Sequence, residues 1–234
     1  MSLLSVVQNV CAVIGVPSPQ SVLVNITANR TMQELLALAN EMANRIAYDN
    51  RDWTQLILTN VFTGDGVKTS FPLPANYKRM LLTSNVWRST SALQPMTFIS
   101  DADEWMQRRA QNWSTPWGEW IILGGNMLVW PAMGVGVTAS FAYLDGNCIN
   151  LSSGGAGNTF AADTDNFRLN ERVLRLGMIW QWKANKGSPY AEDMATYNDA
   201  LEYMQAHDKP SPIIIGRRPM SAGVRVAYPW PVPS

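Results

Sequence analysis

The chain has 234 residues, of which 47% are hydrophobic and only 15% are charged, whereas roughly 25% are charged in an average soluble domain. Its 18 Lys and Arg residues balance 18 Asp and Glu residues, and this zero net charge argues against binding nucleic acid through an overall basic field. Two cysteines and one histidine exclude a disulfide scaffold, a Cys-ligated zinc site and most histidine-based catalysis.

Two helices are predicted in the first 50 residues. Apolar side chains recur at helical spacing over about the first 15 residues, which carry no preceding Lys or Arg and make a poor signal peptide. The second helix is predicted to begin at Thr31, which forms a capping box with Glu34, and to end near Asp49. No apolar run reaches the roughly 18 residues that span a bilayer, so no membrane association is expected.

After Trp53 the spacing of apolar residues no longer follows a helix, and residues 54–150 are predicted to form a β-rich insertion. Gly124 and Gly125 predict a hairpin, and one short helix is expected over residues 101–112. In the last strand, alternation places Val137, Ala139, Phe141 and Tyr143 on one side. Strands are predicted at residues 54–63, 70–74, 80–87, 120–123, 127–130 and 135–144.

Small and polar residues over 151–162 predict a flexible loop, and two further helices follow it. The first of these carries an apolar stripe, from which Arg168, Arg172 and Arg175 are expected to face away. Ser188 and Pro189 predict the start of the second, as N-cap and first helical residue. The pair should form an antiparallel helical hairpin.

Residues 210–234 include six prolines, a density that is incompatible with a helix and unfavourable for a central strand. The segment also keeps an aromatic and aliphatic content that a solvated tail seldom has. It is therefore predicted to be an extended arm that either docks on a partner chain or wraps its own domain. The predicted contact residues are Ile213, Ile214, Ile215, Arg217, Arg218, Val224, Val226, Tyr228 and Trp230.

The sequence offers few candidates for chemistry, and no cofactor, metal site or catalytic residue is predicted. Asp163, Asp165 and Glu171 are more simply explained as acidic residues at a helix start than as metal ligands. An enzyme would need an acidic pair, such as Asp101 and Glu104, to share a cleft. Four tryptophans could instead form a sugar-binding platform, although core or subunit-interface positions are commoner for such rings. They are Trp113, Trp117, Trp120 and Trp130.

The predicted fold is α+β. Terminal helices, in residues 1–53 and 163–209, are expected to pack as a helical bundle around an inserted antiparallel β domain, with the arm extending from the bundle. The bundle core is predicted to contain Leu35, Met42, Ile46, Trp53, Val173, Leu176, Trp180, Tyr190, Tyr197 and Leu201.

Several segments occur in an order that resembles the head-to-tail adaptor proteins of tailed bacteriophages. The first three are Arg51–Leu56, Leu73–Arg79 and Trp120–Leu128. They are followed by Asp163–Asp165, Gly177–Lys183 and then Gly187, Tyr190 and Tyr197. The resemblance runs over most of residues 1–207.

This resemblance implies a virion structural protein without catalytic activity. It implies a ring of about twelve copies, with one face on the portal protein and the other on the next neck or tail protein. The genome would pass through the channel without sequence-specific binding, and a neutral chain would let DNA slide. The implied location is the neck of the virion, after assembly in the host cytoplasm. The alternatives are another neck or tail ring component, such as a stopper or tail-tube-side protein, and a Trp-rich ligand-binding module.

Overall fold

The computed structural model describes residues 2–24, 26, 29–81, 84–90 and 93–208. Five α-helices lie in this part of the chain: α1 (Leu3–Ile14), α2 (Arg30–Tyr48), α3 (Ala102–Ala110), α4 (Glu171–Asn185) and α5 (Ala191–Asp208). Its strands are β1 (Ile57–Thr63), β2 (Ser70–Pro72), β3 (Tyr77–Met80), β4 (Trp87–Arg88), β5 (Thr97–Phe98), β6 (Glu119–Leu123), β7 (Asn126–Trp130), β8 (Thr138–Asp145), β9 (Ile149–Asn150), β10 (Ala156–Gly157) and β11 (Asn166–Phe167). The predicted α+β class is confirmed.

Helix α4 packs against α1, α2 and α5, and the four helices share one hydrophobic cluster, here called the helical core. Helices α4 and α5 are antiparallel, because Lys183 pairs with Asp193 while Gly177 lies against Tyr197. Of the ten residues predicted for the bundle core, eight are buried in the helical core: Leu35, Met42, Ile46, Trp53, Val173, Trp180, Tyr197 and Leu201. Leu176 is half-buried against it.

Tyr190 is the exception, since 42% of it is exposed. Helix α5 begins at Ala191, so Tyr190 precedes the helix and the periodicity that predicted its burial does not apply to it. Its ring meets Trp180 at 6.3 Å between centroids. The predicted start at Ser188 and Pro189 was therefore too early.

The predicted capping box of α2 is also wrong. Asn29 is the N-cap, and its Oδ1 accepts hydrogen bonds from the backbone N–H groups of Thr31 and Met32. The carboxylate of Glu34 instead accepts hydrogen bonds from the side chains of Arg30 and Lys186. An asparagine two residues upstream of a threonine is an equally good cap, and the local sequence does not separate them.

The strands form three small sheets. The first has the order β1-β8-β3, and β4 also pairs with β8. The second has the order β2-β7-β6-β5, and the third has the order β10-β9-β11. The predicted hairpin is confirmed as β6 and β7, joined by Gly124 and Gly125 at φ angles of 57° and 78° that favour glycine. The inward side of β8 is confirmed as well, because Ala139, Phe141 and Tyr143 are buried. These side chains belong to a second hydrophobic cluster, here called the strand core.

A continuous strand over residues 80–87 was predicted and is not found. Met80 pairs with Tyr143 and Trp87 pairs with Ser140, so both ends lie against β8. Seven residue steps separate Met80 from Trp87, whereas three separate their partners, so the intervening chain must loop away from the sheet. The described residues between them, 81 and 84–86, are outside any strand.

Arg168 ties the segment before α4 to the end of β8 and to the segment before β1. Its Nη1 lies 2.5 Å from Oδ2 of Asp145 and donates to the carbonyl of Asn147 at 2.6 Å, while its Nη2 donates to the carbonyl of Gln55. Asp145 ends β8 and is 3% exposed. The expectation that Arg168 faces away from the core is therefore wrong, because its guanidinium is the counter-charge of a buried carboxylate.

The predicted flexible loop, residues 151–162, is held at several points by Asp165. This buried carboxylate accepts hydrogen bonds from the N–H groups of Ser152, Ala161 and Ala162, at 2.7–2.8 Å. The carbonyl of Asp165 accepts from the N–H of Leu3, so the same residue also anchors the start of α1. The composition of the segment did not reveal this, because the carboxylate that orders it lies outside the segment.

The stability of the chain is expected to depend on the ionisation of Asp165. Burial by itself raises the pKa of Asp165, but hydrogen bonds from Ser152, Ala161 and Ala162 outweigh it and hold the pKa below its ordinary value. The stability is therefore present above the unfolded-state pKa, about 4, and is lost as the pH falls through the lower folded-state pKa.

Asp165→Asn should lower the free energy of unfolding by about 1–3 kcal/mol at pH 7, because it weakens these hydrogen bonds. The difference from the parent chain should shrink below about pH 4. Urea titrations at pH 7 and at pH 3 measure both differences, with Asp199→Asn, at an exposed position of α5, as the control. A difference that is the same at both pH values would contradict the role given to the carboxylate.

Candidate interaction surface

One face of the β1-β8-β4 sheet is exposed and carries no charge. Val61 on β1 lies opposite Ser140 on β8, which in turn lies opposite Trp87 on β4, so the three form one row across the sheet. Val61 is 57% exposed and Trp87 is 42% exposed. The neighbouring rows add only small uncharged side chains. We call this surface the uncharged face; it consists of Thr59, Val61, Thr63, Trp87, Thr138, Ser140 and Ala142.

A shallow cavity of about 500 Å³ opens beside Trp87 on this face. Leu81, Ser84 and Asn85, from the chain between β3 and β4, form its far wall. Its lining residues offer hydroxyl, amide and apolar groups, and none of them titrates near neutral pH. The face can therefore bind another surface by shape, apolar burial and hydrogen bonds, and it has no group suited to acid–base chemistry.

The face follows from strand periodicity that the sequence contains. Alternation buries Leu58 partly and Phe62 almost fully on one side of β1, and sends Thr59, Val61 and Thr63 to the other. Sequence reasoning identified the inward side of β8 alone, and it overlooked the outward face because its residues become neighbours only through the register. The absence of Lys and Glu among the outward residues of β1 was the signal in the sequence that could have indicated this face.

The four tryptophans of the predicted platform do not share one open surface. Trp120 is buried in the strand core, with Phe98 at 4.6 Å between ring centroids. The guanidinium of Arg109 lies 4.7 Å from the ring centre of Trp130, and that of Arg108 lies 4.6 Å from that of Trp113. A glycan platform needs free ring faces, and here cations or other rings occupy one face of three of these rings.

The predicted acidic candidates are engaged separately. Asp101 caps α3 through the N–H of Asp103, whereas Glu104 pairs with Arg108. Arg108 also pairs with Glu119, which is fully buried, so a single cation serves both glutamates. Asp163 accepts hydrogen bonds from the N–H groups of Val22 and Leu23 and from the hydroxyl of Ser21, and is not a helix cap.

Within the described ranges there is no group of three or more His, Cys, Asp or Glu placed to hold a metal ion. Burial raises the pKa of Cys148 to about 11, so this thiol stays protonated at neutral pH. His207 lies in the last turn of α5, where its Nδ1 is 2.8 Å from the carbonyl oxygen of Tyr203. None of the described helices is long and apolar enough to cross a membrane.

The predicted arm, with its nine contact residues, lies outside the described residues. Those residues are Ile213, Ile214, Ile215, Arg217, Arg218, Val224, Val226, Tyr228 and Trp230. The bundle-core residues lie together in the helical core, with the exception of Tyr190 described above. The sequence matches no protein-family model and no curated protein.

Proposed function

We propose that the chain is a structural ring protein, a head-to-tail adaptor that binds below the portal of a tailed bacteriophage and joins the capsid to the tail. The helices of residues 1–53 and 163–209 would form the ring wall as a bundle, and the β-rich insertion of residues 54–150 would make lateral or downstream contacts. About twelve copies would surround a channel through which the genome passes. The site of action would be the virion neck.

The uncharged face is the observation that supports this proposal most strongly. A surface that must stay in water usually carries charged residues, and this one presents Thr, Ser, Ala, Val and Trp instead. Depletion of charge with an aromatic near the centre is typical of the core of a protein–protein interface. Trp87 beside its cavity is the candidate anchor.

A ring also requires two different contact surfaces on each copy, because neighbours related by rotation meet head to tail. The uncharged face would supply one of them. The C-terminal arm would supply contacts to the portal or to a neighbouring copy, through Ile213, Ile214, Ile215 and Trp230. The zero net charge of the chain suits a channel that does not retain DNA.

The first test is native mass spectrometry of the full chain mixed with portal rings from its own source. The expected result is a single added mass equal to about twelve chains. If the folded chain adds no mass to portal rings but does so to another neck ring, it is a stopper or tail-tube-side component instead. If it stays a monomer and its tryptophan fluorescence shifts with a small ligand, it is a binding module.

The uncharged face is tested by Val61→Lys, with Val13→Lys as the matched control. The two valines have nearly equal exposure, 57% and 56%, but Val13 lies on α1, outside the uncharged face. Val61→Lys should weaken attachment between neighbouring copies of the ring by about 10-fold or more, because it puts an unpaired charge into a dry interface. Val13→Lys should leave attachment unchanged. Equal attachment of both variants would show that the face is not the contact surface.

A further inference from the structure

Strand β1 has one edge that no described strand covers. It pairs with β8 along its whole length, and β8 is its only neighbour in the sheet order. The strand contains no Lys, Glu or Pro, which are the residues that normally protect an open edge from further pairing. The edge is therefore open to pairing with a further strand.

The register shows which backbone groups point to that edge. Ser89 exchanges hydrogen bonds with the backbone of Thr138, and Ser84 accepts one from the N–H of Ala142, so these two residues of β8 direct their polar groups away from β1. Their partners across the pair, Thr63 and Thr59, must then direct theirs away from β8. Val61, midway between them, does the same. The N–H groups of all three have no acceptor in the described part of the chain.

Helix α5 delivers the C-terminal arm to the beginning of this edge. The side chain of Asp208, its last residue, accepts hydrogen bonds from the hydroxyl of Thr54 at 2.7 Å and from its N–H at 3.1 Å. Arg51 binds the last turn of α5 as well, because it forms an ion pair with Asp208 and donates a hydrogen bond to the carbonyl of Gln205. Thr54 lies three residues before Ile57, where β1 starts. Asp208 therefore lies near the beginning of β1, and 26 residues of sequence follow it.

The arm contains one segment with the pattern of a strand. Residues 224–228 read Val-Arg-Val-Ala-Tyr, with larger apolar side chains at alternate positions and a proline directly after them. Fifteen residues, 209–223, connect the segment to α5, and they can span up to about 50 Å. Strand β1 is only about 23 Å long, so every position along its edge is within reach.

We propose that residues 224–228 pair with the open edge of β1 in the same chain and become a further strand of this sheet. Val224, Val226 and Tyr228 would then extend the strand core beside Leu58 and Phe62, and Arg225 would lie at the rim of the uncharged face. The tether gives the segment of the same chain a high effective concentration at this edge, which a segment from another chain lacks. The inference is independent of the proposed phage function.

The experiment measures amide hydrogen exchange in the full chain. Thr59, Val61 and Thr63 should exchange slowly in the parent. In Val226→Pro they should exchange about 10-fold faster or more, because proline removes a ladder hydrogen bond and disrupts the added strand. Ser221→Pro, in the connecting segment, is the matched control and should leave them slow. The N–H groups of Asn60 and Phe62 point toward β8, so they should exchange slowly in all three proteins. Their slow exchange would show that the pairing of β1 with β8 is intact.

Three results would overturn the proposal. The first is rapid exchange at Thr59, Val61 and Thr63 in the parent chain, and the second is protection that Val226→Pro leaves unchanged. The third is protection that disappears on about 100-fold dilution, which would mean that a second copy covers the edge. Portal binding is measured separately, so a chain that keeps the protection but binds no portal refutes the proposed function and leaves this inference standing.

Discussion

Arg168→Ala is expected to lower the free energy of unfolding by about 3–5 kcal/mol, the usual cost of removing one partner of a buried ion pair. The substitution leaves the Asp145 carboxylate buried without its cation, with the side chains 17% and 4% exposed. It also removes donors from the carbonyls of Asn147 and Gln55. These contacts tie the segment before α4 to the end of β8 and to the segment before β1, so the loss acts on parts of the chain that are far apart in sequence.

Urea denaturation followed by tryptophan fluorescence and by circular dichroism measures this loss. Arg172→Ala is the control, since Arg172 is an exposed arginine of α4, and its change should stay within about 0.5 kcal/mol. In an Asp145→Asn background the effect of Arg168→Ala should be much smaller, because no unpaired charge remains. An Arg168→Ala chain within about 1 kcal/mol of the parent would contradict the role assigned to the pair.

Trp53→Ala is expected to be comparably destabilising, by about 3–5 kcal/mol. Trp53 is 1% exposed and lies between the end of α2 and the start of β1. Its indole Nε1 donates to the carbonyl of Ile46 at 2.7 Å, in a fully buried hydrogen bond. The substitution creates a cavity in the helical core and leaves a buried carbonyl in the last turn of α2 without this donor.

Two variants separate these contributions. Trp53→Phe keeps most of the buried volume and loses only the indole N–H, so it should cost about 1–2 kcal/mol. Trp113→Ala removes a tryptophan that is 51% exposed and should cost less than about 1 kcal/mol. If Trp53→Phe were as destabilising as Trp53→Ala, the hydrogen bond rather than the packing would dominate at this position.

Local patterns predicted the regular elements well. The helical stripes placed seven bundle-core residues in the helical core, because an amphipathic helix has one apolar side to bury, and Trp53, which follows α2, is the eighth residue found there. Gly124 and Gly125 predicted the hairpin because both adopt positive φ angles that other residues avoid. The errors at Thr31, Ser188 and Tyr190 are at helix ends, where neighbouring residues compete for the same capping role.

The polar interior was not predictable in the same way. Asp165 and Arg168 were interpreted from their immediate neighbours, as a helix-start acid and a solvent-facing base. Their partners are distant in sequence: Arg168 pairs with Asp145, 23 residues away, and donates to Gln55, 113 residues away. A buried charge is tolerated only where its partners converge, and the chain pattern does not encode that convergence.

The sequence by itself determined the α+β class, the positions of most elements and the inward sides of the helices and of β8, because each depends on local periodicity. Only the tertiary structure decided that Val61, Ser140 and Trp87 form one uncharged row, and that α5 ends beside Thr54 at the open edge of β1. Surfaces and edges arise from pairing register and from contacts between residues far apart in the chain, and these depend on the whole fold.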